Sequence, residues 1–272
     1  MSIKEILDSN EELHVENFLY HHKNVNHRNL FEKLYLELRR KEGRIYNDEV
    51  VKKLPEISQD DAHATEWTIR STSLHWLISH LNKNTHLNKI LEVGCGNGWL
   101  SNNLMRALRA EICGIDVNET ELNQAARLFQ SDRLSFVKAD IMNPIFPVGT
   151  FDAIILASSI QYFSCLHLLI EKLHDLLTER GEIHILDSPI YYSGEECSQA
   201  QNRSNRYFAS LGLEKMSDHY HYHTFNELTG FCPTVIFNPK AFSAVFKRNV
   251  FGIQLTPFPW IKIARINKIN QT

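Results

Sequence analysis

Two hydrophobic rhythms alternate along this chain. Short unbroken apolar runs are followed by stretches in which apolar residues return every third or fourth position. Ile90-Leu91-Glu92-Val93 is the first clear run; glycines at every second position follow it (Gly94, Gly96, Gly98), and a helical pattern occupies Leu100–Leu108. The next run, Glu111–Ile115, ends in Asp116, and Leu134–Ala139 ends in Asp140. Phe151–Ala157 leads into the polar mouth Ser158-Ser159-Ile160-Gln161-Tyr162. An apolar stripe at Leu166, Leu169, Ile170, Leu173, Leu176 and Leu177 predicts a helix, broken at Thr178–Gly181 before a fifth run, Gly181–Asp187. Strands that alternate with helices predict βαβ units and a parallel sheet covered on both faces.

The flanks are patterned differently. Helices are expected around Phe31–Leu38, around Asn47–Leu54 (capped by Asn47 or Asp48, with Pro55 beyond its end) and from about Thr65 to Leu81, with a polar loop Ile57–His63 between the last two. Residues 1–87 are therefore read as an N-terminal helical extension or lid, and 88–272 as the main domain. After the sheet pattern, Cys197–Leu211 predicts a helix ended by Gly212, and Thr224 is placed to cap a short helix from Phe225. Ala244–Ile253 and Ile261–Ile266 are the expected last two strands.

The glycine turn carries chemistry. Glycines let a ligand lie against bare backbone, and the helix beyond presents unpaired N–H groups and a positive dipole end to an anionic group. The spacing departs from the dinucleotide fingerprint, which would need a third glycine where Trp99 stands. With Glu92 two residues before Gly94, the segment resembles the E-x-G-x-G-x-G motif of class I S-adenosylmethionine-dependent methyltransferases. Asp116, about 20 residues beyond Gly94, suits an acceptor for ribose hydroxyls. The segment Phe151–Tyr162 and the Gly181–Asp187 region resemble further parts of the same family, Glu182 replacing a usual glycine. The resemblance spans about residues 88–190 and implies an α/β, doubly wound, mostly parallel seven-stranded sheet, Rossmann-like, with an N-terminal helical cap.

It also implies site residues. Glu92, Gly94, Cys95, Gly96, Asp116 and the adjacent Val117 would bind the cofactor, S-adenosyl-L-methionine, together with Asp140 at the adenine amino group, the Ile141 amide at a ring nitrogen, and Ser158. Cys95 is read as a small packing residue of the turn and not a nucleophile. From the helical extension, Tyr46, Trp67 and Arg70 are candidates for the cofactor, Arg70 because a guanidinium matches a carboxylate with two parallel hydrogen bonds. The alternative is core packing for Trp67 and a surface ion pair for Arg70. Tyr162 and Tyr191 are placed at the substrate as pocket walls and hydrogen-bond donors, with Asp187, Ser188 and Tyr192 in the same strand-end region.

His219, His221 and His223, at every second position, leave three readings open: a metal site, a general base, or pocket lining. His221 is taken as the catalytic candidate and no metal is expected, because no cysteine or carboxylate cluster supplies further ligands.

Composition narrows the picture without adding a substrate. The chain has 272 residues, 43% hydrophobic and 22% charged, with a formal net charge of −3. That balance offers no general attraction for nucleic acid or an anionic membrane surface. Five scattered cysteines suit reduced thiols in a cytoplasmic protein, and Met1–Glu5 is acidic and amphipathic, unlike a secretory signal. Expected partners are a small-molecule substrate and, as an open alternative, a second copy in a homodimer. The leading function is methyl transfer to a small-molecule O, N or C nucleophile. A noncatalytic cofactor-binding subunit and a methyltransferase acting on a macromolecule remain alternatives, whereas an aminopropyl transferase would need acids after the fourth strand, where Ala157–Tyr162 has none.

Overall fold

The structure, a computed structural model, describes residues 1–23, 29–251 and 254–265. Its strands are β1 Leu13–Glu16, β2 Leu19–His22, β3 Lys89–Val93, β4 Glu111–Asp116, β5 Leu134–Lys138, β6 Phe151–Ala157, β7 Leu177–Leu186, β8 Ile190–Tyr191, β9 His223–Thr224, β10 Thr234–Phe237 and β11 Trp260–Ala264. The helices are α1 Ile3–Asp8, α2 Asn29–Lys41, α3 Asp48–Val51, α4 Ala64–Leu81, α5 Trp99–Ala107, α6 Glu119–Leu128, α7 Leu166–Leu176, α8 Gly194–Ser210 and α9 Phe242–Phe251.

The main sheet runs β1-β2-β5-β4-β3-β6-β7-β11-β10, and β8 pairs with β9 in a small parallel ladder of its own. The five central strands are parallel, and β11 and β10 close one edge antiparallel, so the seven expected strands are present. Two more extend the other edge: β2 lies parallel to β5 and β1 folds back antiparallel to β2. A short run with two histidines hid this hairpin, yet Leu19–His22 is buried throughout and Tyr20 donates to Asp8 at 2.7 Å.

The last hairpin is built from other residues than expected. Thr234–Phe237 supplies the strand assigned to Ala244–Ile253, and Phe242–Phe251 is helical, its Phe242 and Phe246 rings stacked one turn apart. Ile253 and Ile266 lie outside the described residues.

Both faces of the sheet are covered. On one face α1 and α7 bury Ile3, Ile6, Leu7, Leu169, Ile170 and Leu173 against Leu91, Val93, Ile154 and Ile183. On the other, α4, α5 and α6 bury Leu74, Leu77, Leu100, Leu104, Leu122 and Ala125 against Ile90, Ile112 and Ile155. Each fully buried aliphatic side chain contributes about 1.5–3 kcal/mol, so these two layers dominate stability.

Residues 1–87 contribute to several parts of the fold. Helix α1, the β1–β2 hairpin and α4 belong to the sheet layers, while α2 packs with α8 and the turn after it through Phe31, Leu38, Phe208, Leu213 and Met216. That third cluster draws on both ends of the chain. It sets α2 over the carboxyl ends of β4 and β6, because the acidic first turn of α6 is tied to Glu32, whose carboxylate accepts the Glu119 N–H at 2.9 Å.

Candidate active site

The turn from β3 into α5 is held to β4: the N–H groups of Gly94 and Cys95 donate to the Ile115 carbonyl at 2.8 and 3.2 Å. Gly94 has φ +78°, and a Cβ there would fall 2.5 Å from the Ser159 Cβ. Bare backbone is thus required where the end of β6 presses on the turn. Gly98, also left-handed, packs against Phe136 and Ala125 and starts α5.

Three clefts meet here. The first is lined by Phe31, Tyr35, Val93, Gly94, Gly96, Ile115, Asp116, Val117, Asn118, Asp140, Ile141, Ser158 and Tyr162, among others. The second joins Tyr35, Arg39 and Arg44 to Tyr46, Glu66, Trp67, Arg70, Glu92, Gly94, Cys95, Gly96, Trp99 and Glu121. The third is a cavity of about 570 Å³ bounded by Arg39, Arg70, Gln161, Tyr162, Asp187, Tyr207, Phe208, Tyr220 and Phe258. The first two are narrow, about 80 and 90 Å³, with Phe31, Tyr35 and Arg39 of α2 in their walls.

Asp116 is already well used. Its Oδ2 accepts from Gly96 N–H at 2.8 Å, and Oδ1 accepts from Val117 and Asn118 N–H at 2.7 and 2.9 Å. Burial raises its pKa against the pull of those bonds. Three of about four acceptor positions are filled, so a ligand hydroxyl would find one free position at Oδ2. Glu92 is buried at 3% exposure and accepts from the Ser101 hydroxyl of α5. Burial, with Asp116 nearby, pushes it up to about 8. It ties the end of β3 to α5. Asp140 accepts the Met142 N–H at 3.1 Å and lines the first cleft with Ile141.

Tyr46, Trp67 and Arg70 come together in the wall of the second cleft. Trp67 donates from Nε1 to the Tyr46 hydroxyl at 3.1 Å and meets Trp99 edge-on at 5.2 Å, while the Arg70 guanidinium lies 5.2 Å from the Trp67 ring. Arg70 pairs with Glu66 at 3.0 Å, and Glu66 also holds Arg44 at 2.5 Å. Trp67 is thus both part of the core and a wall of the second cleft.

Ser158 and Asp187, at the ends of β6 and β7, are non-glycine residues with φ +56° and +48°. Ser158 Oγ donates to the Asp187 carbonyl at 2.9 Å, and Asp187 Oδ1 accepts from Ser73 at 2.8 Å. Burial raises the Asp187 pKa. Strained backbone concentrated at two adjacent strand ends is a recurrent mark of functional sites.

The remaining candidates separate. Tyr162 lines the first and third clefts and packs edge-on against Tyr35 and Tyr220. Tyr191 and His221 line none of the three. Tyr191 faces Tyr222 across 6.3 Å, and His221 donates its backbone N–H to the Gln161 carbonyl at 2.7 Å. The three histidines do not share a strand face: His219 packs on Phe31, and His223 is buried, its Nε2 against the carbonyls of Ile160 and Phe163.

A different trio, His80, Glu182 and His184, brings possible metal-ligand atoms within 4.8 Å. Trp260 Nε1 donates to His184 Nδ1 at 3.2 Å, which leaves Nε2 of the neutral ring to carry the proton and removes its lone pair, and Lys262 occupies Glu182 at 2.7 Å. The trio is a polar cluster built around the Glu182–Lys262 ion pair.

Sequence reasoning missed Tyr35, Arg39, Glu121 and the Arg44–Glu66 pair. The available signal was the row Phe31, Tyr35, Arg39 on one face of α2, where a cation continues an apolar stripe.

Residues 90–181 match the family described as a methyltransferase domain. A malonyl-[acyl-carrier protein] O-methyltransferase of Priestia megaterium is 30% identical over 126 residues, 45% of this chain and 44% of that protein. A sterol 24-C-methyltransferase of Aspergillus fumigatus is 36% identical over 70 residues, 24% of this chain and 19% of that protein. The chain thus aligns with less than half the length of either of these curated relatives. Among solved structures, a geranyl diphosphate methyltransferase in complex with GPP and sinefungin superposes with TM-score 0.55 at 15% identity, covering 74% of this chain and 79% of that one. A geranyl diphosphate C-methyltransferase of Streptomyces coelicolor, solved with S-adenosyl-L-homocysteine, gives 0.54 at 14% identity, covering 85% and 92%. These superpositions establish the fold.

The residues present suit the cofactor of that domain: a turn that excludes side chains, an acid at the end of β4, apolar walls from Val93, Ile115, Val117 and Ile141 for a flat base, and guanidinium groups in the second cleft.

Proposed function

We propose that this chain, whose residues 90–181 form a class I S-adenosylmethionine-dependent methyltransferase domain, transfers a methyl group to an O, N or C atom of a small molecule held in the third cavity. One observation carries the reading: Ser158 lines all three clefts, so a nucleoside cleft, a charged cleft and a substrate-sized cavity share one residue at the end of β6. When bound, the cofactor supplies a methyl group made electrophilic by its sulfonium.

The chain's own residues have the remaining tasks. In this reading Val93, Val117 and Ile141 sandwich the adenine, Asp140 and the Ile141 amide meet its edge, and Asp116 accepts from the ribose. The Gly94-Cys95-Gly96 backbone and Arg70, backed by Trp67 and Tyr46, receive the amino-acid end. Helix α2 covers both clefts and keeps water out, which requires it to move when ligand enters, since ligand pockets run to about 300–1,000 Å³.

At the acceptor, Tyr162 and Tyr220 orient the substrate, and Asp187, with its raised pKa, takes the proton from an O or N nucleophile. Tyr191 and His221 support the wall behind them. The names of the matched relatives, an acyl-group O-methyltransferase and a sterol methyltransferase, favour a small organic acceptor.

Incubating the enzyme and a metabolite extract with methyl-labelled cofactor tests this. Label should enter small products, and Asp187→Asn and Tyr162→Phe should each lower turnover while leaving S-adenosylhomocysteine affinity nearly unchanged. Label confined to RNA, DNA or protein would contradict the reading.

A further inference from the structure

We propose that Glu121 anchors the α-ammonium group of the cofactor's amino-acid end, with Arg39 and Arg70 opposite it taking the carboxylate. This inference rests on the cofactor reading above.

Glu121 is the third residue of α6, and its backbone N–H is capped by the Asn118 side chain at 3.1 Å. A first-turn glutamate often only supports its own helix dipole. Here the side chain turns inward instead. Its Oε2 accepts from Asn118 Nδ2 at 3.1 Å and sits 3.1 Å from the point a Cβ on Gly96 would occupy. Its Oε1 has no hydrogen-bond partner among the described residues, and the side chain lines the second cleft.

The charges of that cleft sort into pairs. Arg44 and Arg70 share Glu66, and Glu92 is engaged with Ser101 and held protonated near neutrality by burial. Arg39, which also pairs with Glu42 at 3.3 Å, and Glu121 are left facing the same space from α2 and α6. Opposite charges across a narrow cleft, each with spare hydrogen-bonding capacity, form a template for a zwitterion.

The surroundings explain why a cation is wanted. Glu121 faces Asp116 on β4 and Glu32 on α2, with Arg39 and Tyr35 on α2 and Arg70 on α4 as the other polar groups around it. Burial and then Asp116 push Glu121 up to about 7, and the two arginines only partly offset this. A bound ammonium would relieve that repulsion and draw the carboxyl into its ionised form.

The test uses two ligands that share the nucleoside. S-adenosylhomocysteine carries the amino-acid end, and 5′-methylthioadenosine lacks it. Calorimetry on Glu121→Gln should show S-adenosylhomocysteine weakened about tenfold or more, the loss expected for a charged hydrogen bond, with methylthioadenosine within about twofold of wild type. In the wild type, S-adenosylhomocysteine affinity should rise through about pH 7 as Glu121 ionises, while methylthioadenosine affinity stays flat. That second measurement decides the matter if the variant does not fold.

An unchanged S-adenosylhomocysteine affinity in a variant of normal melting temperature overturns the proposal. So does an equal loss for both ligands, which would make Glu121 a support for the turn. A wild type that binds neither ligand would instead remove the cofactor reading itself.

Discussion

Three glycine-to-alanine substitutions separate crowding from backbone strain at the turn. Gly43 has φ +70° with nothing within 4 Å of an added Cβ, so Gly43→Ala carries the left-handed cost alone, about 1 kcal/mol net. Gly194 opens α8 with open space around it and no left-handed φ, so Gly194→Ala should be neutral or stabilising by about 0.5 kcal/mol. Gly94 combines φ +78° with a Cβ–Cβ approach of 2.5 Å to Ser159. No rotamer change relieves a Cβ contact, so backbone must move by about 1 Å to restore van der Waals distance, an overpacking cost of about 1–3 kcal/mol. Gly94→Ala should therefore lose about 2–4 kcal/mol and melt roughly 5–15 °C lower. Ser159 Oγ donates to the Val93 carbonyl at 2.8 Å, so displacing it distorts the cleft wall, and S-adenosylhomocysteine affinity should fall with stability. Scanning calorimetry and ligand titration read both. A Gly94→Ala protein that melts with Gly43→Ala and binds normally would refute the crowding argument.

Stability should also depend on acid in a stated direction. For Glu66 burial is outweighed by Arg44 and Arg70; for Glu182 hydrogen bonding from His184, then Lys262, outweighs burial. Both are held down to about 2 from 4.5. A depressed carboxyl stabilises above its unfolded pKa, so each contribution, about 1–3 kcal/mol after screening, is present above pH 4.5 and lost as pH falls toward 2. Urea unfolding between pH 6 and 3 should show a smaller decline in Glu182→Gln, and an identical decline would discard the assignment. Hydrogen exchange in α2 and around Tyr46–Arg70 should slow when S-adenosylhomocysteine is added, as the cover closes; equal exchange with and without ligand would leave these helices as static packing.

The parallel strands and their helices were legible because burial on both faces writes continuous apolar runs, and Gly94, Gly96, Asp116 and Asp140 mark where those runs end. The β1–β2 hairpin was not. Its buried His21 and His22 carry no strand signal alone, and its pairing with β5 is a contact distant in sequence. The helical spacing of Phe242 and Phe246 marks a helix where the expected final hairpin needed a strand, and Thr234–Phe237 supplies that strand instead. Within the site, strand-end residues were found because topology fixes them, whereas Tyr35, Arg39 and Glu121 reach the clefts from helix faces whose rotation one sequence does not specify. Tyr191 was placed by its proximity in sequence to a strand end and His221 by the alternating histidines and the basicity of imidazole, but neither lines the three clefts.

In the proposed function the first two clefts hold one S-adenosylmethionine, with Asp116 at its ribose. Isothermal titration of S-adenosylhomocysteine into wild type and Asp116→Asn tests it most directly. Asparagine keeps the side-chain shape and a carbonyl for the Val117 and Asn118 amides, but it sets an NH2 where Asp116 now accepts. The wild type should bind one-to-one, and the variant should bind at least about tenfold more weakly with folding retained. No binding by the wild type, or equal affinity in the two proteins, would contradict it.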